Sequence, residues 1–181
     1  AWDHGEGAWP AAPHAARAAA VERFAQAVAS RAEQIATLLM WEIGKPRAAA
    51  RDEVTRSVAY IHDTLRELDR LHAEDHRTVS GQAGGRSHHA RTERRALGTV
   101  LCVAPFNYPV NELLTTVVPA LLMGNVVLAK TPRFGVLANM LLLEAFRDAF
   151  PPGVVALLPG DGRALIPALM GATAPDVHGQ P

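Results

Sequence analysis

The stretch Thr-Val-Leu-Cys-Val-Ala-Pro-Phe-Asn-Tyr-Pro, residues 99–109, decides how the rest of the chain is interpreted. Its apolar part, residues 100–104, predicts a buried parallel strand that ends at Pro105. A helix-compatible segment follows over about residues 110–123. Because open α/β sheets bind their ligands at the carboxyl ends of such strands, we expect Asn107 to stand in a binding crevice.

The sequence after this stretch continues the alternation of strands and helices. A second apolar run at 126–129 precedes a helical segment at 136–150, and a third run at 154–158 precedes a short helical piece at 163–170. These spacings predict a right-handed, doubly wound parallel sheet. Three such strands make half of a Rossmann-like dinucleotide-binding fold, so the predicted fold class is α/β, with a truncated sheet.

The first part of the chain is typical of helices. Apolar residues recur at helical spacing up to about Trp41, which we assign to the core, and the segment can divide in two at Ser30 and Arg31. Gly44 predicts the C-terminal cap of this segment. A regular apolar stripe then predicts another helix over about residues 47–71.

Residues 72–98 differ in composition, being rich in His, Arg, Gly and Ser. Turn-forming residues at 80–87 are flanked by segments at 78–79 and 92–95 that can form exposed strands. Two interpretations stay open: a mobile loop, or a hairpin that leaves the body to meet another subunit. The sequence therefore divides into an N-terminal helical part of the cofactor domain (1–75), this hairpin or loop (76–98), a dinucleotide-binding half (99–170) and a frayed tail (171–181).

Composition excludes several classes of function. The 181 residues hold 18 Lys plus Arg and 18 Asp plus Glu, so the neutral balance gives no reason to expect nucleic acid or an anionic membrane as a partner. No apolar run approaches the roughly 20 residues that span a bilayer, and no signal peptide is visible. A single cysteine fits a reducing compartment, which predicts a cytoplasmic protein.

Asn107 is the first candidate for chemistry, because a side-chain amide at the end of a strand can donate to a developing oxyanion. The alternative is that Asn107 caps the helix that follows. Cys102, the only thiol, lies between Leu101 and Val103 in the apolar run. Burial there raises a thiol pKa and makes it unreactive, so we do not assign Cys102 as a nucleophile.

Two further groups follow the second and third strands. Lys130 and Arg133 can hold a ribose or a phosphate, and the planar guanidinium of Arg suits a 2′-phosphate better than an ammonium does. The alternative is that both residues are solvated surface charges. Gly160 and Gly162 flank Asp161 in an incomplete version of the glycine-rich phosphate turn, since Leu165 stands where a third glycine is needed. A tight strand-to-helix turn explains these glycines nearly as well.

Several motifs occur in an order that points to one family. Pro-Phe-Asn-Tyr-Pro at 105–109, Trp-Glu-Ile-Gly-Lys-Pro at 41–46, the block at 119–130 and the block at 151–162 resemble successive signatures of the aldehyde dehydrogenase superfamily. The first motif, extended by Val-Asn, most resembles the NADP-dependent, non-phosphorylating glyceraldehyde-3-phosphate dehydrogenase branch. The resemblance implies an oxidoreductase with a Rossmann-like cofactor domain.

The resemblance also implies how the cofactor is held. Lys130 matches a lysine that contacts the adenosine ribose of NAD(P), and Ala104 matches a position whose backbone touches the cofactor. Arg133 falls where NAD-preferring members often carry Glu, so NADP is the expected cofactor and NAD the alternative. Gly160 and Gly162 belong to the third-strand block of the same site.

For the substrate, a small aldehyde, the resemblance implies three residues. Asn107 matches the amide that stabilises the oxyanion of the thiohemiacetal. Tyr108 and Arg56 match positions that contact the phosphorylated substrate in the glyceraldehyde-3-phosphate branch. Residues 72–98 resemble the region that supplies part of the family's oligomerisation hairpin, so a homo-oligomer is expected of the full-length protein.

Members of this family are more than twice as long as this chain, and their nucleophilic Cys and general-base Glu lie in later sequence. The chain is therefore expected to be an N-terminal fragment that is inactive alone, although the complete enzyme would oxidise an aldehyde, glyceraldehyde 3-phosphate, to the acid. The alternative is a non-catalytic nucleotide-binding or subunit-interaction piece.

Overall fold

A computed structural model describes residues 1–74, 78–84, 86–91 and 94–171 of the chain. A short 3-10 turn at Asp3–Gly5 precedes the regular elements. In chain order these are α1 (His14–Ser30), α2 (Ala32–Ile43), α3 (Arg47–Glu74), β1 (Thr78–Ala83), β2 (Arg86–Arg91), β3 (Thr99–Val103), α4 (Asn111–Leu122), β4 (Val126–Lys130), α5 (Val136–Met140), α6 (Leu142–Ala149), β5 (Val155–Leu158) and α7 (Gly162–Gly171).

The N-terminal helices divide where the sequence suggests. Arg31 leaves helical geometry with φ −102° and ψ 8°, which separates α1 from α2. Gly44 takes the left-handed conformation, φ 66°, and its N–H donates to the carbonyl of Met40 at 3.1 Å, as a helix C-cap requires. The assignment of Trp41 to the core is wrong: Trp41 is 78% exposed, because it lies on the face of α2 opposite to the buried Ile35, Ala36 and Leu39.

Strands β1 and β2 form an antiparallel hairpin, with Thr78 opposite Arg91 and Gly84 in the turn at φ 59°. The expected second strand at 92–95 is misplaced, since β2 ends at Arg91 and Arg94 and Arg95 are not in a strand. Residues 92–93 of that expected strand lie outside the described residues. The turn is shorter than composition suggests because most of its Ser, Gly and Gln residues pair across the ladder instead.

The other three strands form a parallel sheet in the order β3-β4-β5. Thr99 is in register with Val126, and Val127 with Val155. Helix α4 connects β3 to β4, and α5 and α6 connect β4 to β5. The predicted α/β fold with a parallel sheet is confirmed, although the helix expected at 136–150 is broken into two pieces at Leu141.

One hydrophobic core joins the helices to the sheet. Its aromatic centre is Phe24 of α1, fully buried and stacked on Phe146 of α6 with ring centroids 4.4 Å apart. Phe150 lies 5.9 Å from Phe24 and meets the edge of Trp9 at 5.4 Å. The indole N–H of Trp9 donates to the carbonyl of Leu121 at 3.2 Å, which ties the N-terminal segment to α4.

Within the described ranges, none of the helices combines the length and apolarity needed to cross a bilayer. The tail expected from residue 171 onward lies outside the described residues except for Gly171, which ends α7.

Candidate functional site

A cavity of about 430 Å³ opens at the carboxyl ends of β3 and β4. It brings together residues that are far apart in the sequence, including four of the five predicted for cofactor binding: Ala104, Lys130, Arg133 and Gly162. Val103, Phe106 and Phe134 supply apolar walls and are more than half exposed. This is the position at which an open parallel sheet binds its ligand.

Lys130 ends β4 and lies inside this cavity with only 3% of its surface exposed. Its ammonium donates to the carbonyl of Thr131. Thr131 is fully buried, and among the described residues its hydroxyl oxygen has no hydrogen-bond partner. A buried hydroxyl without a partner is costly, so Thr131 is a local source of instability in the cavity wall.

The charge in the cavity is predominantly positive. Lys130, Arg133 and Arg163 line it against the single carboxylate of Asp161. Arg133 is exposed, and its guanidinium lies 5.4 Å from the centroid of the Phe134 ring. Arg163 was not singled out from the sequence, although its place at the start of the helix after the third strand was a usable signal.

The Gly-Asp-Gly turn is partly explained by its own structure. Asp161 Oδ1 accepts from the backbone N–H of Arg163 at 3.0 Å, so a carboxylate already caps the start of α7. Gly160 has φ 131° and is not among the described residues that line the cavity. Gly162 does line it. The geometry therefore favours the tight-turn interpretation for Gly160 and leaves Gly162 as a cavity residue.

Asn107 follows β3 and is exposed. It does not cap α4, because the backbone N–H groups of Val110 and Asn111 donate instead to Glu53 Oε1 of α3, at 3.0 and 3.1 Å. The cap is thus supplied from a helix more than fifty residues earlier. The capping alternative for Asn107 is excluded, and its amide remains available for another role.

Two cations lie over the ring of Tyr108. Lys45 Nζ is 3.7 Å from the centroid of that ring, and the guanidinium carbon of Arg56 is 5.3 Å from it. Arg56 also lies 3.7 Å from Asp52 on its own helix. The structure therefore brings the three residues expected at the substrate site, Arg56, Asn107 and Tyr108, to one place.

Lys45 and Glu53 complete this cluster and were missed by sequence reasoning. Lys45 Nζ donates to Glu53 Oε2 at 2.5 Å and to the carbonyl of Asn107 at 2.9 Å. Glu53 is fully buried. One signal was available: Glu53, Ser57 and Ile61 recur every four residues on α3, which places a carboxylate on the buried face of a helix.

Cys102 is buried in β3, as expected, and 2% exposed. Burial raises the pKa of its thiol, although a hydrogen bond with Thr116 acts in the opposite direction. A neutral, enclosed thiol is a poor nucleophile. Among the described residues, no group of three or more His, Cys, Asp or Glu side chains is arranged to hold a metal ion.

Comparison with known proteins places this geometry in a family. The model of the aldehyde dehydrogenase family matches residues 1–178. NADP-dependent glyceraldehyde-3-phosphate dehydrogenase from Streptococcus equinus is 35% identical over 159 residues, which cover 87% of this chain and 33% of that protein. The bifunctional protein PutA from Escherichia coli (strain K12) is 35% identical over 167 residues, 90% of this chain and 11% of that protein.

Solved structures agree with the sequence comparison. NADP-dependent glyceraldehyde-3-phosphate dehydrogenase from Bacillus halodurans, complexed with NADP, superposes with a TM-score of 0.80 at 35% identity, covering 87% of this chain and 33% of that one. This chain thus spans about a third of the length of such relatives. The family signatures, the parallel sheet and the matched residues lead to one conclusion: the chain belongs to the aldehyde dehydrogenase family.

Proposed function

We propose that this chain is the N-terminal, cofactor-binding part of an NADP-dependent dehydrogenase that oxidises glyceraldehyde 3-phosphate to the carboxylic acid. The observation that carries the proposal is the excess of positive charge in the cavity at the ends of β3 and β4. Support comes from the similarity to NADP-dependent glyceraldehyde-3-phosphate dehydrogenases of bacteria and plants.

The residues of the cavity fit a phosphorylated dinucleotide. Lys130 would hold the adenosine ribose, and Arg133 the 2′-phosphate, to which a guanidinium can donate two parallel hydrogen bonds. Arg163 adds a second guanidinium to the lining of the cavity. Ala104 and Gly162 present backbone without bulk. When bound, the nicotinamide would supply the acceptor for the electrons of aldehyde oxidation.

On the substrate side, the side-chain amide of Asn107 would donate to the oxyanion that forms when a nucleophile adds to the aldehyde. A single donor of this kind contributes roughly 3 kcal/mol to such a transition state. Arg56 would bind the substrate phosphate beside the Tyr108 ring, since it is the exposed cation of that cluster. The site would therefore recognise both the reacting carbonyl and the phosphate group of the substrate.

The chain by itself is expected to be inactive. Addition to an aldehyde needs a thiolate and a base, and the one thiol of this sequence is buried in β3. A single buried cysteine also agrees with the reducing environment of the cytoplasm. Turnover of any aldehyde by the purified 181-residue chain would contradict this part of the proposal.

A subunit-interaction role is the second candidate, and the β1–β2 hairpin favours it. The hairpin pairs only with itself among the described strands, and Val79 on β1 is 57% exposed. Such a two-stranded ribbon is marginally stable in isolation, so association with another copy would supply the missing contacts. Analytical ultracentrifugation of the protein with and without residues 78–91 would test homo-oligomer formation through this hairpin.

Cofactor preference is the direct test of the main proposal. Calorimetric titration of the protein with each cofactor should show that it binds NADP more tightly than NAD. Arg133→Met should weaken NADP binding by about 10-fold or more, because it removes a charge-assisted hydrogen bond, and should leave NAD binding nearly unchanged. Arg147→Met is the matched control, since Arg147 is equally a surface cation but lies on α6 beside Asp148. An equal loss for NAD and NADP would contradict the assignment of Arg133.

A further inference from the structure

The loop that carries Asn107 and Tyr108 is held at both ends by side chains from outside it. At its start, Lys45 Nζ donates to the carbonyl of Asn107 at 2.9 Å. At its end, Glu53 Oε1 accepts from the N–H groups of Val110 and Asn111. The two anchoring side chains are themselves joined, Nζ to Oε2, at 2.5 Å.

This ion pair is shielded from water. The side chain of Glu53 is 0% exposed and that of Lys45 is 10% exposed. Both carboxylate oxygens of Glu53 accept hydrogen bonds, and the Lys45 ammonium also covers the face of the Tyr108 ring at 3.7 Å. Geometry of this quality is what a desolvated ion pair needs to be favourable.

The contacts determine where the functional side chains can point. The carbonyl of Asn107 and the N–H groups of Val110 and Asn111 are held in place. The peptide units between them therefore have little rotational freedom. The directions of the Asn107 and Tyr108 side chains follow from those peptide units. A third anchoring side chain acts in the same sense, because Asn139 Nδ2 donates to the carbonyl of Pro109 at 3.2 Å.

We propose that Lys45 and Glu53 are positioning residues, which orient the amide of Asn107 and the ring of Tyr108 for the oxidation of the aldehyde. The proposal rests on the proposed function for its catalytic consequence, but the positioning itself is a property of the loop. Neither residue touches the reacting atoms; both act through the backbone and ring that they hold. A displacement of about 1 Å at a reacting group costs on the order of 100-fold in rate.

The test uses the protein at its full encoded length and three variants. Lys45→Met removes the cation and keeps the length of the side chain, and Lys45→Arg keeps the cation. Arg51→Met is the matched control, because Arg51 lies on α3 and also pairs with a carboxylate, but its side chain is exposed and its partner is Glu33 of α2. Two readouts are taken for each protein: steady-state kinetics, and amide hydrogen exchange by mass spectrometry.

For Lys45→Met, we expect kcat to fall about 10- to 100-fold with little change in the KM for NADP, since the cofactor cavity is lined by other residues. Exchange should accelerate in peptides covering 105–112 and stay unchanged in those covering β4. Lys45→Arg should recover part of both losses, and the control should match the wild type. A merely structural role would instead change exchange throughout the fold.

The outcomes separate the positioning from the proposed function. If the wild-type protein oxidises no aldehyde, the proposed function fails, and exchange at 105–112 alone decides whether Lys45 positions the loop. Unchanged exchange at 105–112 in Lys45→Met would overturn the proposal, with or without activity. Faster exchange combined with an unaltered kcat would overturn the catalytic role of the positioning.

Discussion

Among single substitutions of charged residues at the candidate site, Glu53→Ala should destabilise the protein most. The change removes the acceptor of two buried N–H groups, on Val110 and Asn111, and leaves Lys45 without its carboxylate at a position that is 10% exposed. Each unsatisfied buried donor costs about 1–3 kcal/mol. Because water can enter the space left by the side chain, we expect a total loss of about 3–5 kcal/mol, the usual result of breaking a buried ion pair.

Urea unfolding monitored by tryptophan fluorescence gives this quantity directly. The loss of stability should appear as a lower urea concentration at the midpoint of unfolding. The slope of the free energy of unfolding against urea concentration should not change, since the area exposed on unfolding is nearly the same. Glu33→Ala provides the contrast. Glu33 also accepts from two arginines, Arg47 and Arg51, but its side chain is 61% exposed, and exposed pairs of this kind contribute little.

A Glu53→Ala protein whose free energy of unfolding falls by less than about 1 kcal/mol, the net contribution of one ordinary hydrogen bond, would contradict this expectation. A loss no larger than that of Glu33→Ala would have the same meaning. Either result would show that the capping of α4 by α3 is not a principal source of stability at this site.

Three further predictions concern other parts of the molecule. Gly135→Ala should lower the free energy of unfolding by about 1–3 kcal/mol, because Gly135 has φ 90° and an added Cβ would lie 2.7 Å from the Pro109 ring; Gly44→Ala, with open space around it, should cost less in the same urea experiment. Burial lowers the pKa of His14, so the unfolded state binds this proton more tightly than the folded state does. Stability should therefore be lost as the pH falls below about 6.5, the ordinary pKa of a histidine. Thermal unfolding of His14→Gln should show a smaller loss of stability over that pH range. Cys102 should react with a thiol reagent far more slowly in the native protein than in urea, because its thiol is buried and its pKa raised; equal rates would contradict its burial.

The sequence was informative wherever a local pattern decides the structure. Periodicity and turn residues predicted the parallel sheet, the division of the first helical segment at Arg31, and the end of α2 at Gly44. Trp41 was misassigned although its spacing from Ile35, Ala36 and Leu39 places it on the opposite face of α2. The register of the hairpin was missed because polar, glycine-rich strands specify pairing weakly.

For the candidate site, the sequence pointed to residues whose position at the end of a strand is itself a signal. Asn107, Lys130 and Arg133 belong to that class. Lys45 and Glu53 do not, because their contacts depend on the packing of α3 against α4, which brings together groups more than fifty residues apart. A buried carboxylate is recognisable only when its partners are known, and those partners are backbone groups of a distant loop.

The cap that α3 provides for α4 limits how this region can be engineered. A loop closed by its own side chains can be transplanted as a cassette, but here the acceptor for Val110 and Asn111 is carried by another helix. Deleting one residue from α3 before Glu53 would rotate that carboxylate by about 100° around the helix axis and remove it from the loop. A graft of residues 105–111 into a foreign scaffold would therefore have to include the first turns of α3 in their original phase.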